Sequence, residues 1–175
     1  MTNKLHPLQQ ISFTHANQAY VVEASAGTGK TWTIERLFIK ALLEATQPDN
    51  LLIPLAIENI LVVTFTNDAT DELKQRISEQ IQTTINQIIY LNNQFEQEQI
   101  PATNQDIFLE YLLARQTNSA VNLRKKLFLQ DLTLLTRALQ NFDQAAIYTI
   151  HGFCNRILQD YQFECQTPAE FELLA

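Results

Sequence analysis

The feature that most constrains this chain is the stretch Ala24-Ser25-Ala26-Gly27-Thr28-Gly29-Lys30-Thr31. Gly27 and Gly29 allow left-handed backbone angles, so successive N–H groups can turn toward one point. The residues on either side have different periods. Residues 20–23 (YVVE) are a short β-branched run, which predicts a buried strand ahead of the turn. Beyond Thr31, Ile34, Leu37, Phe38, Ala41 and Leu42 recur at three- and four-residue spacing, the mark of an amphipathic helix. In a strand–glycine turn–helix arrangement the helix N-terminus adds its partial positive charge to the converging amides. The stretch therefore fits the phosphate-loop pattern, with Ala24 where glycine is commoner. In that layout Ala24, Ser25, Ala26, Gly27, Thr28, Gly29, Lys30 and Thr31 wrap a triphosphate. Lys30 reaches the β- and γ-phosphates and the Thr31 hydroxyl ligates Mg²⁺. ATP and Mg²⁺ are the expected cofactors, and Lys30 and Thr31 the residues expected to act in catalysis. The bland alternative, a turn that binds nothing, leaves the flanking strand and helix to coincidence.

Residues 60–65 (ILVVTF) form the best strand in the sequence and complete a predicted βαβ unit, hence a parallel sheet. After Thr66 the pattern is helical. Leu73, Ile77, Ile81, Ile85 and Ile88 or Ile89 mark one face, and Asp68, Asp71 and Glu72 are expected in its first turn, where the helix dipole favours carboxylates. Residues 92–105 read as a polar connector with one proline. Ile107, Phe108, Tyr111 and Leu112 suit a short helix. Residues 123–142 suit a longer one that buries Leu127, Leu134, Leu135, Ala138 and Leu139. The region offers no strand and reads as a helical insertion. Residues 145–150 (AAIYTI) predict a short strand, followed by a turn and a helix. The expected fold class is α/β: a phosphate-loop parallel-sheet core, incomplete, carrying a helical insertion.

With 46% hydrophobic and 18% charged residues the chain can build a packed core. A net charge of −7 gives no global attraction to nucleic acid, so any contact with DNA must be local. No run of roughly 18 apolar residues is present to span a bilayer. The first residues lack a secretory core, and Cys154 and Cys165 are too few for a disulfide scaffold. A cytoplasmic protein with reduced thiols is expected. His151-x-x-Cys154 is half of a zinc site at most. Arg124, Lys125 and Lys126 read as a solvated helix face, and His6 and His15 as solvated side chains. No four apolar residues precede an Asp-Glu pair. Asp71-Glu72 and Asp131 fall within helical patterns, and Asp68 suits a helix start. The carboxylate that a hydrolytic motor needs for its metal is thus not found, and the chain reads as part of a motor core.

Two further segments, TFTNDATDELKQRI at 64–77 and YTIHGFC at 148–154, follow the glycine loop in order. The three together resemble the first conserved segments of superfamily 1 helicases of the UvrD type, and their wording is most similar to its RecB-type branch. The resemblance implies that the sheet core is RecA-like. Residues 1–90 would begin the ATP-binding domain, 91–144 would be the insertion, and 145–175 would return to the core. It implies that Thr64, Phe65, Thr66, Thr149 and His151 lie along the path of single-stranded DNA. It further implies an ATP-dependent helicase–exonuclease subunit acting in double-strand break repair and recombination. The implied partners are single- and double-stranded DNA and RecC- and RecD-type subunits of a heterotrimer. The second RecA-like domain, its arginine fingers and the nuclease domain have no counterpart here, so an N-terminal fragment, not catalytically competent alone, is expected. Gln9 and Gln10 are available to read adenine, but that role stays unassigned. A stand-alone nucleotide-binding module that regulates a partner without unwinding DNA is the alternative. A small-molecule kinase is weaker, for want of an arginine-rich lid.

Overall fold

Strand pairing needs partners, and in this chain the partners are far apart in sequence. The computed structural model describes residues 6–13, 18–23, 25, 27, 29–44, 55–99, 106–117 and 121–162. It opens with a single turn, α1 (Pro7–Gln10), which the sequence reading did not anticipate. His6 caps it: its Nδ1 accepts from the Leu8 amide at 3.3 Å, while Gln9 Oε1 accepts from the His6 amide at 3.2 Å. Pro7 at the first helical position completes the start signal. His6 is thus not the solvated side chain expected. Its ring also meets Trp32 edge-on at 5.4 Å.

Next come α2 (Lys30–Glu44), a 3-10 turn at Ile57–Asn59 and β1 (Val62–Thr64). The long α3 (Asn67–Glu96), α4 (Ile107–Thr117) and α5 (Val121–Gln140) follow, then a second 3-10 turn, β2 (Ile147–Thr149) and α6 (Ile150–Asp160). β1 and β2 pair in parallel, with Val62 opposite Ile147, Val63 opposite Tyr148 and Thr64 opposite Thr149. The expected strand at 20–23 does not form. Tyr20, Val21 and Val22 are exposed, Val21 at 88%, and no strand lies beside them among the described residues. A β-branched run acquires strand geometry only through a ladder and a surface to pack on. The expected βαβ unit is therefore corrected: the crossover between the paired strands runs through α3, α4 and α5.

The core follows the helical stripes. Leu73, Ile77, Ile81, Ile85, Ile88 and Leu91 of α3 are buried, and Ile89, the alternative to Ile88, is exposed. Phe38, Ile39, Leu42 and Leu43 of α2 meet them, with Phe108 and Leu112 of α4, Leu135 and Ala138 of α5, and Ile147 of β2. Ile77, Ile81 and Leu91 retain no exposure, and burial of such a side chain contributes roughly 1.5–3 kcal/mol. α3 packs against both strands, which gives a pair of three-residue strands support that it lacks alone. The opposite sheet face carries Leu61, Val63 and Phe65 exposed.

Two expectations are adjusted at the edges. α3 runs on to Glu96, so the first part of the 92–105 segment is helix, not connector. On α5, Leu127, Leu134 and Leu139 are only half-buried, because the helix lays a narrow stripe on α3. No helix among the described residues is long and apolar enough to cross a membrane.

Candidate functional site

The glycine loop leads directly into α2. Gly27 and Gly29 have φ of 76° and 82°, the left-handed region that side chains other than glycine rarely enter. The Gly29 carbonyl accepts the first helical bond from the Thr33 amide at 2.9 Å, and Thr33 Oγ1 donates to the same oxygen at 3.0 Å. Lys30 and Thr31 therefore occupy the first helical turn, where main-chain N–H groups lack intrahelical acceptors. That turn carries no acidic side chain to compete for them. Lys30 Nζ folds back to donate to the Ser25 carbonyl at 3.0 Å, which holds an ammonium over the loop. Ser25, Gly27, Gly29 and Lys30 are exposed and Thr31 is half-buried. Two turned glycines, a helix N-terminus, a lysine and a threonine hydroxyl make a donor set suited to a polyphosphate anion with its cation. Ala24, Ala26 and Thr28 lie outside the described residues.

A cleft opens beside the loop, lined by His6 and Pro7, by Val22 and Glu23, and by Lys30, Thr33, Ile34 and Leu37. Other side chains of α2 make polar contacts of their own. The Arg36 guanidinium lies 3.9 Å over the Trp32 ring and donates to Glu35 at 3.2 Å. Burial lowers the Arg36 pKa from its ordinary value, while Glu35 and Asp106 oppose the shift. Glu35, itself buried, also meets Arg76 of α3 at 3.6 Å.

The second cluster of predicted residues gathers at the C-terminal edge of the sheet. Register places Thr64 opposite Thr149, and both strands run straight into helices. Thr66 caps α3, its Oγ1 accepting from the Ala69 amide at 3.2 Å. Thr149 caps α6, its Oγ1 accepting from the Gly152 amide at 3.0 Å. Such caps contribute about 1 kcal/mol each. Thr64 Oγ1 donates to the Thr66 carbonyl at 3.1 Å and also lies beside Thr70 Oγ1. Gly152 fits this turn closely, since a Cβ there would sit 3.1 Å from Thr149 Oγ1. Phe65 projects outward, 87% exposed, and His151 is exposed in the first turn of α6. The sequence reading weighed Thr64 and Thr66 as DNA contacts or as strand formers. It missed the capping role, for which the signal was a threonine followed by Asn67-Asp68 before an apolar stripe. Crevices outside the carboxyl ends of parallel strands are where α/β proteins place ligands.

One reading is strengthened by what a carboxylate does elsewhere. Asp131, set aside as a metal ligand for its helical pattern, is wholly buried on α5. Arg115 of α4 grips it twice, Nε to Oδ2 at 2.9 Å and Nη2 to Oδ1 at 2.8 Å. Arg115 Nη2 also donates to the Leu43 carbonyl at 3.0 Å. Burial alone would lower the Arg115 pKa, but the bonds and charge of Asp131 carry it above its ordinary value. Asp68 sits exposed in the first turn of α3 as expected, and Cys154 is exposed and free. No group of three metal-ligating side chains occurs among the described residues.

The pattern of the UvrD/REP helicase N-terminal domain matches residues 5–175. The chain belongs to the UvrD/REP helicase family. It is 41% identical over 168 residues to the RecBCD enzyme subunit RecB of Haemophilus influenzae, covering 96% of this chain and 13% of that protein. To the Escherichia coli K12 RecB subunit it is 34% identical over 154 residues, 88% of this chain and 11% of the relative. The RecB subunit of Chlamydia pneumoniae is 35% identical over 143 residues, 81% and 11% respectively. The chain therefore spans 13% or less of the length of these relatives. The family resemblance read from the sequence is borne out. The helical body and small parallel sheet are consistent with an α/β helicase domain.

Proposed function

We propose that this chain forms the nucleotide-binding start of a RecB-type, ATP-dependent DNA helicase–exonuclease subunit that works with RecC- and RecD-type subunits on DNA ends. The observation that carries the reading is the turned glycine loop, with Gly27 and Gly29 left-handed and Lys30 folded over it at the N-terminus of α2. The domain plan is part of the proposal: residues 1–90 and 145–175 belong to a RecA-like phosphate-loop core and 91–144 to its insertion.

In this reading residues 24–31 hold the phosphates of ATP through main-chain amides, Lys30 neutralises the β- and γ-phosphate charge, and Thr31 ligates Mg²⁺. When bound, the nucleotide would supply the free energy of hydrolysis, and Mg²⁺ would offset charge on the phosphate oxygens. In this reading the residues of this chain bind and orient the nucleotide. At the threonine edge, Thr66 and Thr149 accept from their helix amides. Each hydroxyl then has its proton available to a DNA phosphate, together with the free amides of the first helical turns. Phe65 offers an exposed ring to a base, and His151 is exposed in the first turn of α6, which starts at the same edge. Arg76 and Glu35 tie α3, which starts at this edge, to α2, which starts at the loop. That tie supports a mechanical link between nucleotide state and strand grip.

Phe65→Ala tests the DNA side. Base–aromatic stacking is worth about 1–3 kcal/mol, so affinity for oligo-dT falls roughly 5- to 100-fold by fluorescence anisotropy. ATP affinity without DNA stays unchanged. Unaltered oligo-dT binding would remove Phe65 from the DNA path.

A further inference from the structure

Lys40 sits near the middle of α2, about 15 Å along the helix from Lys30, and only 6% of it is exposed. A buried ammonium is costly unless its donors are used. Here Nζ donates to the Leu8 carbonyl at 2.7 Å and the Ile11 carbonyl at 2.6 Å. Glu44 approaches at 3.9 Å, and the Tyr111 ring lies 5.0 Å from the ammonium. Burial lowers the Lys40 pKa from its ordinary value, with Glu44 opposing. Burial likewise pushes the Tyr111 phenol well above its ordinary value, and Glu44 adds to that shift. Leucine or methionine would fill the space without burying a charge. What the lysine adds is a grip on two main-chain oxygens of a segment some thirty residues upstream.

That segment is α1 with its C-cap. A single helical turn has no stability of its own, so its position is set by what holds it. Leu8 and Ile11 are buried beneath it, and Lys40 fastens the carbonyls at its far end. At the near end His6 and Pro7 form one wall of the cleft beside the glycine loop, facing Val22, Lys30, Ile34 and Leu37. The cleft carries the Lys30 ammonium and the Glu23 carboxylate beside the loop and is largely apolar beyond them. A phosphate tail suits the first part, and a flat, weakly polar ring the second.

We propose that Lys40 is a positioning residue for the nucleoside end of the ligand, clamping α1 onto α2 so that the His6–Pro7 wall stands at a fixed distance from the phosphate loop. The proposal rests on the nucleotide reading of that loop. Lys40 touches no ligand itself. Its effect therefore falls on discrimination between a nucleotide and a bare polyphosphate.

The test is calorimetric binding of Mg·ATP and of Mg·tripolyphosphate to the intact protein, as wild type, Lys40→Met, Lys40→Arg and His6→Ala. Lys40→Met weakens ATP binding about tenfold, the scale of losing one charge-assisted hydrogen bond. Tripolyphosphate binding stays within about twofold, because the loop and Lys30 are intact. Lys40→Arg, which keeps the charge and the donors, restores part of the loss. His6→Ala, at the cleft end of the same segment, shows the same selective weakening, and it carries the comparison if Lys40→Met does not fold. Parallel weakening of both ligands, or no weakening of ATP in the Met and His6 variants, overturns the role of Lys40. Wild-type protein that binds neither ligand overturns the nucleotide reading beneath it.

Discussion

Lys30→Ala lowers affinity for Mg·ATP roughly 10- to 100-fold, and abolishes ATP-driven activity of the intact protein. The magnitude follows from losing a charged hydrogen bond to phosphate, about 1.5–3 kcal/mol. Hydrolysis suffers more than binding, because the lysine acts where charge develops on the transferring phosphoryl group. Folding is spared: Lys30 is exposed, and its bond to the Ser25 carbonyl is made over the surface of the loop. The measurement is isothermal titration with Mg·ATP, beside a thermal melt. The account requires a shifted Kd at an unshifted Tm. Unchanged nucleotide affinity in a folded variant means that the loop holds no phosphate.

The second large effect is on stability. Asp131→Asn destabilises the fold by about 3–5 kcal/mol, the cost of leaving a buried arginine without its counter-charge. The site magnifies the loss, because Arg115 joins three helices: α4 carries it, α5 supplies Asp131, and α2 supplies the Leu43 carbonyl. Gln116 adds a donor toward the same carboxylate at 3.4 Å. Replacing both partners, Arg115→Met with Asp131→Leu, removes the two charges together and costs less than Asp131→Asn alone. Urea unfolding monitored by circular dichroism distinguishes the cases through the midpoint at constant m. Equal midpoints for wild type and Asp131→Asn would show that the pair contributes nothing.

The two sites differ in how far their chemistry was legible. At the glycine loop, residue type carried the expectation of a left-handed turn, which Gly27 and Gly29 make, since side chains other than glycine rarely enter those angles. At the sheet edge the residues were marked by motif, but their local work was not. Thr66 and Thr149 cap helices through bonds three residues away, and only the pairing of β1 with β2, more than eighty residues apart, brings the two caps to one edge. The stripes of α3 predicted their own burial because a long amphipathic helix has one period and one face. The YVVE run misled because local β propensity specifies no partner. α1 and the Lys40 clamp were invisible for a related reason. A lysine inside an apolar helix pattern reads as surface, and only the path of the upstream backbone supplies its two acceptors.

Family membership and loop geometry both point to triphosphate held by the amides at the start of α2, and a structure of the intact protein with a non-hydrolysable Mg·ATP analogue tests that most directly. The account predicts phosphate oxygens within hydrogen-bond reach of the amides of Gly27, Gly29, Lys30 and Thr31, with Lys30 Nζ released from the Ser25 carbonyl to a phosphate. A nucleotide seated elsewhere, with Lys30 still folded onto Ser25 and the loop amides facing solvent, would contradict it.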